Sequence, residues 1–108
     1  MKANIYEYHP NNQPKHKIEY HPNGSKKYER FFDENGNTHR INKPAIQSWY
    51  DNGRKWYDGY YINGKWHNIS NPTTIKYSQF GKISWKEYYI NGQWYISKLS
   101  WLNEIKKI

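Results

Sequence analysis

The chain has 108 residues, the size of one domain, with 17 Lys and Arg against 9 Asp and Glu, a net charge of +8. It holds no Cys, which excludes disulfides, thiolate-held zinc, iron–sulfur clusters and thiol catalysis. The start, MKANIYEYHPNN, lacks an apolar stretch long enough for a signal peptide and nothing later could span a bilayer, so a cytoplasmic protein is expected.

Aliphatic residues are scarce. Val is absent and Leu occurs only at Leu99 and Leu102. Low aliphatic content with high net charge is a signature of disorder. Phe, Trp and Tyr, however, make up 19% of the chain, and such rings favour strands and bury large areas. The composition therefore predicts a β fold with a thin, aromatic core. The abundance of Lys, Asn, Ile and Tyr reflects A/T-rich coding rather than a physical need.

Taken in order, residues 1–14 read as an incomplete leading unit with a short strand at Ile5, Tyr6 and Tyr8. Residues 15–20 form the next strand, with Ile18 and Tyr20 on one face. His21 to Gly24 is a turn, because Pro22 does not suit a central strand. Residues 25–34 are a long strand turned by Asn35-Gly36, and residues 45–50 another. The stretch WYDNGRKWYDGYYINGKWHN (49–68) then places an aromatic strand between Asn52-Gly53 and Asn63-Gly64. Both Asn-Gly pairs fit a type I′ turn, whose two central residues need positive φ. Asp58-Gly59 falls inside the aromatic strand and predicts a bulge. Residues 73–78 and 82–90 are strands joined by Gln79-Phe80-Gly81, and Asn91-Gly92 leads into a last strand at 93–96.

The end of the chain differs. In SKLSWLNEIKKI (97–108), Leu99, Leu102, Ile105 and Ile108 recur every third residue beside Trp101, the spacing of a helix face. Ser97 suits the N-cap, and Lys106 and Lys107 suit the negative C-terminal end. A helix here would cover the open end of the sheet.

An internal repeat is legible. Gly36, Gly64 and Gly92 lie 28 residues apart, while Gly24, Gly53 and Gly81 are spaced 29 and 28. Phe32, Tyr60 and Tyr88 keep the period, as do Trp66 and Trp94. A His followed five positions later by Pro recurs as His9 to Pro14, His39 to Pro44 and His67 to Pro72. Markers in phase at such a period signal a repeat array. The fold expected is mainly β, an antiparallel meander of hairpin repeats forming a single domain over 1–108. Its units fall at 15–44, 45–72 and 73–96, with a helical cap over 97–108.

Several residues carry a resemblance to MORN-type repeats and their phage, bacterial and giant-virus relatives. They are His39-Arg40, Pro44-Ala45, Trp49-Tyr50, Asn52-Gly53, Tyr60-Tyr61, Asn63-Gly64-Lys65 and His67, with a partial copy at Tyr88-Tyr89 and Asn91-Gly92. The likeness covers roughly residues 5 to 108. It departs at Lys43, where the pattern has Gly, and at Ser100, where it has Pro. The resemblance implies a twisted meander of hairpins and an interaction module, with no catalytic residue to carry over. Among such relatives some are linked to acidic lipids and some are antitoxin-like.

The candidate chemistry is that of binding. His39 and His67 are repeat equivalents about two strands apart, roughly 10 Å at about 4.8 Å per strand, too far to share one Zn²⁺. Their expected role, shared by His9, is to hydrogen-bond the linker backbone that Pro44 and Pro72 stiffen. His16 and His21 have no evident partner. Asp33 and Glu34 are adjacent and point to opposite faces of a strand. No triad or phosphate loop appears, so no enzyme is expected, and no cofactor or metal is implied. A His and Lys nuclease site is the remaining catalytic alternative.

The surface is the stronger signal. Lys26, Lys27, Arg30, Arg40, Arg54, Lys55, Lys65, Lys82 and Lys86 interleave with Tyr28, Trp49, Trp56, Tyr57, Trp66, Trp85 and Trp94. Alternation puts Trp56, Tyr60, Ile62, Tyr88 and Ile90 on one face, the expected core. It puts Tyr57, Tyr61, Trp85 and Tyr89 on the other, where rings stay accessible. The expected binding set is Tyr57, Tyr61, Trp85, Tyr89, Arg54, Lys55, Lys82 and Lys86. It would engage an acidic protein, as a small viral or mobile-element inhibitor would. The alternative occupants are nucleic acid, a nucleotide or an anionic membrane, and a second copy of the chain is a further possible partner.

Overall fold

The turns set the architecture. The computed structural model describes residues 5–108; residues 1–4, the start of the expected leading unit, lie outside them. Five turns, at residues 9–13, 21–25, 33–37, 50–54 and 78–82, share one pattern. The first carbonyl accepts from the fourth N–H, and the first N–H donates to the fifth carbonyl. Within each, only the fourth residue has positive φ: Asn12, Gly24, Gly36, Gly53 or Gly81. This is a three-residue hairpin loop with one left-handed position. Asn52-Gly53 is therefore not the type I′ turn that the dipeptide predicts. Asn52 stays right-handed, and its side-chain oxygen accepts from the Arg54 N–H at 2.9 Å. At Asn63-Gly64 and Asn91-Gly92 both residues are left-handed, and there the type I′ expectation holds. The longer loop at 33–37 also accounts for the 29-residue step from Gly24 to Gly53, since its counterpart at Asn63-Gly64 is one residue shorter.

Strands follow from these turns. They are β1 (Ile5–Tyr8), β2 (Pro14–Tyr20), β3 (Lys26–Phe31), β4 (Ile46–Trp49), β5 (Lys55–Gly59), β6 (Tyr61–Ile62), β7 (Lys65–Trp66), β8 (Thr74–Tyr77), β9 (Ile83–Ile90) and β10 (Gln93–Tyr95). The helix α1 is Lys98–Ile105. The main sheet is an antiparallel meander in the order β1-β2-β3-β4-β5-β8-β9, with β10 on the far half of β9. Along one rim runs a row of short hairpins: the Phe32–Thr38 bridge, β6–β7, and the end of β9 with β10. The row is stitched at the repeat interval, Gly64 N–H donating to Thr38 O (2.9 Å) and Gly92 N–H to Trp66 O (2.8 Å). The mainly β meander expected from the sequence is what the chain forms. Among the described residues no helix is long and apolar enough to cross a membrane.

The molecule is a slab of 47 × 40 × 16 Å, too thin for a conventional interior. Among the described residues the buried apolar side chains are Ala45, Ile90 and Trp101. Ala45 and Trp101 flank the buried Thr73 at 28-residue steps, so one repeat position supplies much of the core. Polar groups fill the rest. Asp58 is buried and accepts from Gln47 Nε2, Lys55 Nζ and Tyr77 OH, each at 3.1 Å. Buried Glu29 meets His16 Nε2 at 2.7 Å and Lys26 Nζ at 3.6 Å. These carboxylates are tolerated because each has several partners.

Two sequence expectations change. No bulge forms at Asp58-Gly59: the register shift in β4–β5 falls between Ser48 and Trp49, leaving Trp56 as the extra residue. The helix starts as expected, Ser97 Oγ accepting from the Ser100 N–H at 3.1 Å. Its every-third apolar row, however, is not the buried face. Leu99 is 67% exposed and Ile108 78%, whereas Trp101 is 2% exposed. The indole decides the docking: it lies 5.1 Å from the Tyr88 ring and donates from Nε1 to Asn68 O at 2.8 Å.

The histidines bind backbone, but not the linker backbone expected. His39 Nδ1 accepts from Asn63 N–H and His67 Nδ1 from Asn91 N–H, both at 3.0 Å. Each ring thus props the turn of the next hairpin. The linkers are held instead by Arg40 Nη1 to Pro44 O and by Asn68 Nδ2 to Pro72 O. His9 Nε2 reaches Phe32 O and His21 Nε2 reaches Trp49 O. His16 stacks on Phe31 at 4.1 Å between Glu7 and Glu29. The two histidines without an evident partner in the sequence are therefore both engaged.

Candidate docking face

Register places one line of residues straight across the sheet: Glu19, Tyr28, Ser48, Tyr57, Lys76 and Trp85. All share a face because cross-strand partners point to the same side. Trp56 joins this face, its ring 5.8 Å from that of Tyr57. The bulge at Trp56 turns it away from the core side on which strict alternation puts it.

The rim hairpins extend the same face. Tyr61 and Trp66 are cross-strand partners with rings 5.7 Å apart, and Trp66 lies 4.8 Å from Tyr89 of the next hairpin. Trp94 is the cross-strand partner of Tyr89. Burial, followed by contact with the Tyr61 hydroxyl, pushes the Tyr57 phenol well above its ordinary range. Burial also raises Tyr61 and Tyr89. The three phenols therefore stay neutral at physiological pH and form the bed on which the indoles sit.

The indoles are open to solvent: Trp56 is 41% exposed, Trp66 36%, Trp85 53% and Trp94 53%. Four of the six tryptophans thus share one face. At the Trp56 end the face dips into a groove of about 460 Å³ whose walls include Glu19, His21, Tyr28, Tyr50 and Asp51.

Of the expected set, Tyr57, Tyr61, Trp85 and Tyr89 do share a face, but only Trp85 is fully presented. The cations expected with them are elsewhere. Lys86 follows Trp85 and points to the opposite side, in line with Ile75 and Asp58. Lys55 is tied to Asp58 there. Arg54 and Lys82 close the turns at 50–54 and 78–82, where Arg54 Nη1 donates to Gln79 O at 3.3 Å. The cation that does stand among the rings is Lys76, exposed between Tyr57 and Trp85. Arg30 adds a second, close enough to Tyr61 to oppose the rise of its phenol. Lys76 was legible only through strand register, which local sequence does not give.

The chain matches no family model, no curated protein and no solved structure.

Among the described residues no three of His, Asp and Glu converge as a metal-binding group. Each histidine has at least one ring nitrogen committed to a structural partner.

Proposed function

We propose that the chain is a non-catalytic binding module that docks an acidic protein through the ring face. One observation carries this reading: Trp56, Trp66, Trp85 and Trp94 stand exposed on a single face, with Lys76 among them. Exposed indoles in such a row are costly in water and are the side chains that anchor interfaces. A chain of net charge +8 steers negative partners towards itself. The stitched 28-residue hairpins support kinship with MORN-like repeat proteins. A small cytoplasmic inhibitor of viral or mobile-element origin fits the size, the charge and the coding bias.

A second reading is favoured by the same rings. Indoles beside lysine and arginine also suit stacking of unpaired bases. The experiment that separates the two is binding of Trp85→Ala and Trp94→Ala variants to acidic protein candidates and to single-stranded oligonucleotides across salt concentrations. The protein reading expects loss of about tenfold or more per ring at a protein target. Tight oligonucleotide binding that weakens steeply with salt would move the assignment to nucleic acid. Unchanged affinity in both variants would remove the ring face altogether.

A further inference from the structure

The repeat offers an internal template for what an unfinished edge should hold. Strand β5 is paired on both sides, with β4 and with β8. Its repeat counterpart, the first half of β9, is paired only with β8. On the outer side, where β8 lies against β5, no strand lies among the described residues. The chain that would supply one has turned into α1: Trp101 occupies the repeat position of Ala45 and Thr73, the residues through which β4 and β8 enter the sheet. The helix packs near Tyr88 and leaves residues 83–86 exposed on both faces.

The direction of the backbone groups at this edge can be derived. Glu87 O accepts from Thr73 N–H, and Tyr89 N–H donates to Thr73 Oγ1, so residues 87 and 89 address β8. Alternation along an antiparallel strand turns Lys86 outward, whereas Ser84 is the extra residue of a bulge against β8 and leans on Lys76 O. Among the described residues no strand pairs with residues 83–86 on this outer side. Such an edge is a template for an added strand. It carries no proline, and its bulge at Ser84 and the exposed charge of Lys86 restrict pairing to a guest that complements them.

We infer that the outer edge of β9 receives an extended acidic segment of a partner protein, added antiparallel as a further strand. Register follows from β5 and β8, where Tyr57, Asp58 and Gly59 face Lys76, Ile75 and Thr74. The guest residue in the Ile75 place would lie opposite Lys86, which calls for Glu or Asp. Lys82 and Arg54 at the neighbouring turns add to the positive field. Glu87 does not offset it, being engaged by Thr74 Oγ1 at 2.9 Å. A second copy of the chain fits less well, since each brings a charge of +8 and its own lysines to the same edge. This surface is distinct from the ring face, and the two assignments fail separately.

The test uses the full ¹⁵N-labelled chain and a synthetic peptide with the sequence of residues 72–78 carrying Ile75→Glu and Lys76→Thr. Titration should shift the Lys86 amide and slow its exchange with solvent. Lys86→Pro removes the outward N–H at an exposed edge, where proline is compatible with the fold, and should weaken the peptide at least tenfold. Lys86→Glu should reverse the preference, favouring a peptide with Ile75→Lys. The Lys86→Glu comparison decides the matter even if Lys86→Pro does not fold. Peptide binding that bypasses Lys86, or that survives both substitutions, overturns the inference. So does a dimer in sedimentation equilibrium that Lys86→Pro dissociates, because the edge would then belong to a second copy. Loss of peptide binding with ring-face binding intact would confirm that the two surfaces are independent.

Discussion

The Tyr57 side chain lies directly across Gly59. A Cβ built on Gly59 would meet the Tyr57 hydroxyl at 2.6 Å and its ring carbons at 2.8 and 2.9 Å. Gly59 has no positive φ to justify it, so its lack of a side chain is a matter of space. That space lets Tyr57 reach Tyr61 and Trp66 and so joins the main sheet to the rim hairpins. Gly59→Ala should displace the ring and cost about 1–3 kcal/mol, the usual range for overpacking. Urea unfolding measures the loss, and Tyr57→Ala in the same background should recover part of it.

Asp58 is the polar centre of the opposite face. Tyr77→Phe removes one of its three donors while keeping the ring, and should destabilise the fold by about 1–2 kcal/mol. The same pair contributes to the alkaline limit. Burial, then the Asp58 charge, pushes the Tyr77 phenol up from 10.0 to about 12. The unfolded chain therefore releases this proton before the folded chain does. Stability is intact below pH 10 and falls as pH rises from there towards 12. Thermal melts between pH 8 and pH 12 should show a shallower decline for Tyr77→Phe than for the native chain.

His67 contributes on the acid side. Burial holds its imidazole below the ordinary 6.5, and its Nδ1 must be unprotonated to accept from Asn91 N–H. The folded state then binds fewer protons than the unfolded one. Stability is complete above the unfolded value and is lost as pH falls from about 6.5 through the lower, folded value. His67→Asn keeps an acceptor near the Nδ1 position without a titrating group. It should flatten this part of the stability profile, and an unchanged slope would assign the acid sensitivity to other groups.

Trp101 anchors α1. Trp101→Ala should cost about 3–5 kcal/mol and free the helix from the sheet. Trp101→Phe, which loses chiefly the Nε1 bond to Asn68 O, should cost about 1 kcal/mol beyond the smaller ring's lost contact. Circular dichroism of the helical signal, with melting temperature, distinguishes detachment of α1 from global unfolding.

The two kinds of turn give a sharper check on local chemistry. Asn63 and Asn91 have φ of 50° and 49°, so Asn→Ala there forces a left-handed alanine and should cost about 1 kcal/mol. Asn52 carries no such strain, and Asn52→Ala should lose only its bond to the Arg54 N–H. Equal losses at all three sites would contradict the assignment of separate turn types.

Much of this was written in local sequence. The 28-residue spacing of Gly64 and Gly92, the aromatic strands and the Ser97 cap each depend on neighbours in the chain. Backbone sterics and capping read such neighbours directly. The shared face of Tyr57, Tyr61, Trp85 and Tyr89 was equally legible, because a pleat alternates with a period of two. The same rule placed Trp56 wrongly, since a bulge depends on a partner strand that local sequence does not name. Lys76 between two rings, and Asp58 with its three donors, likewise arise from register across strands.

The sequence by itself determined a repeating meander of hairpins with a helical end, because turn residues and alternation act over a few bonds. Only the tertiary structure decided which rings stand in water, which lysines stand with them, and that, among the described residues, α1 leaves the first half of β9 unpaired on its outer side. Those outcomes depend on contacts between residues far apart in the chain, where one bulge or one indole's hydrogen bond outweighs the local pattern.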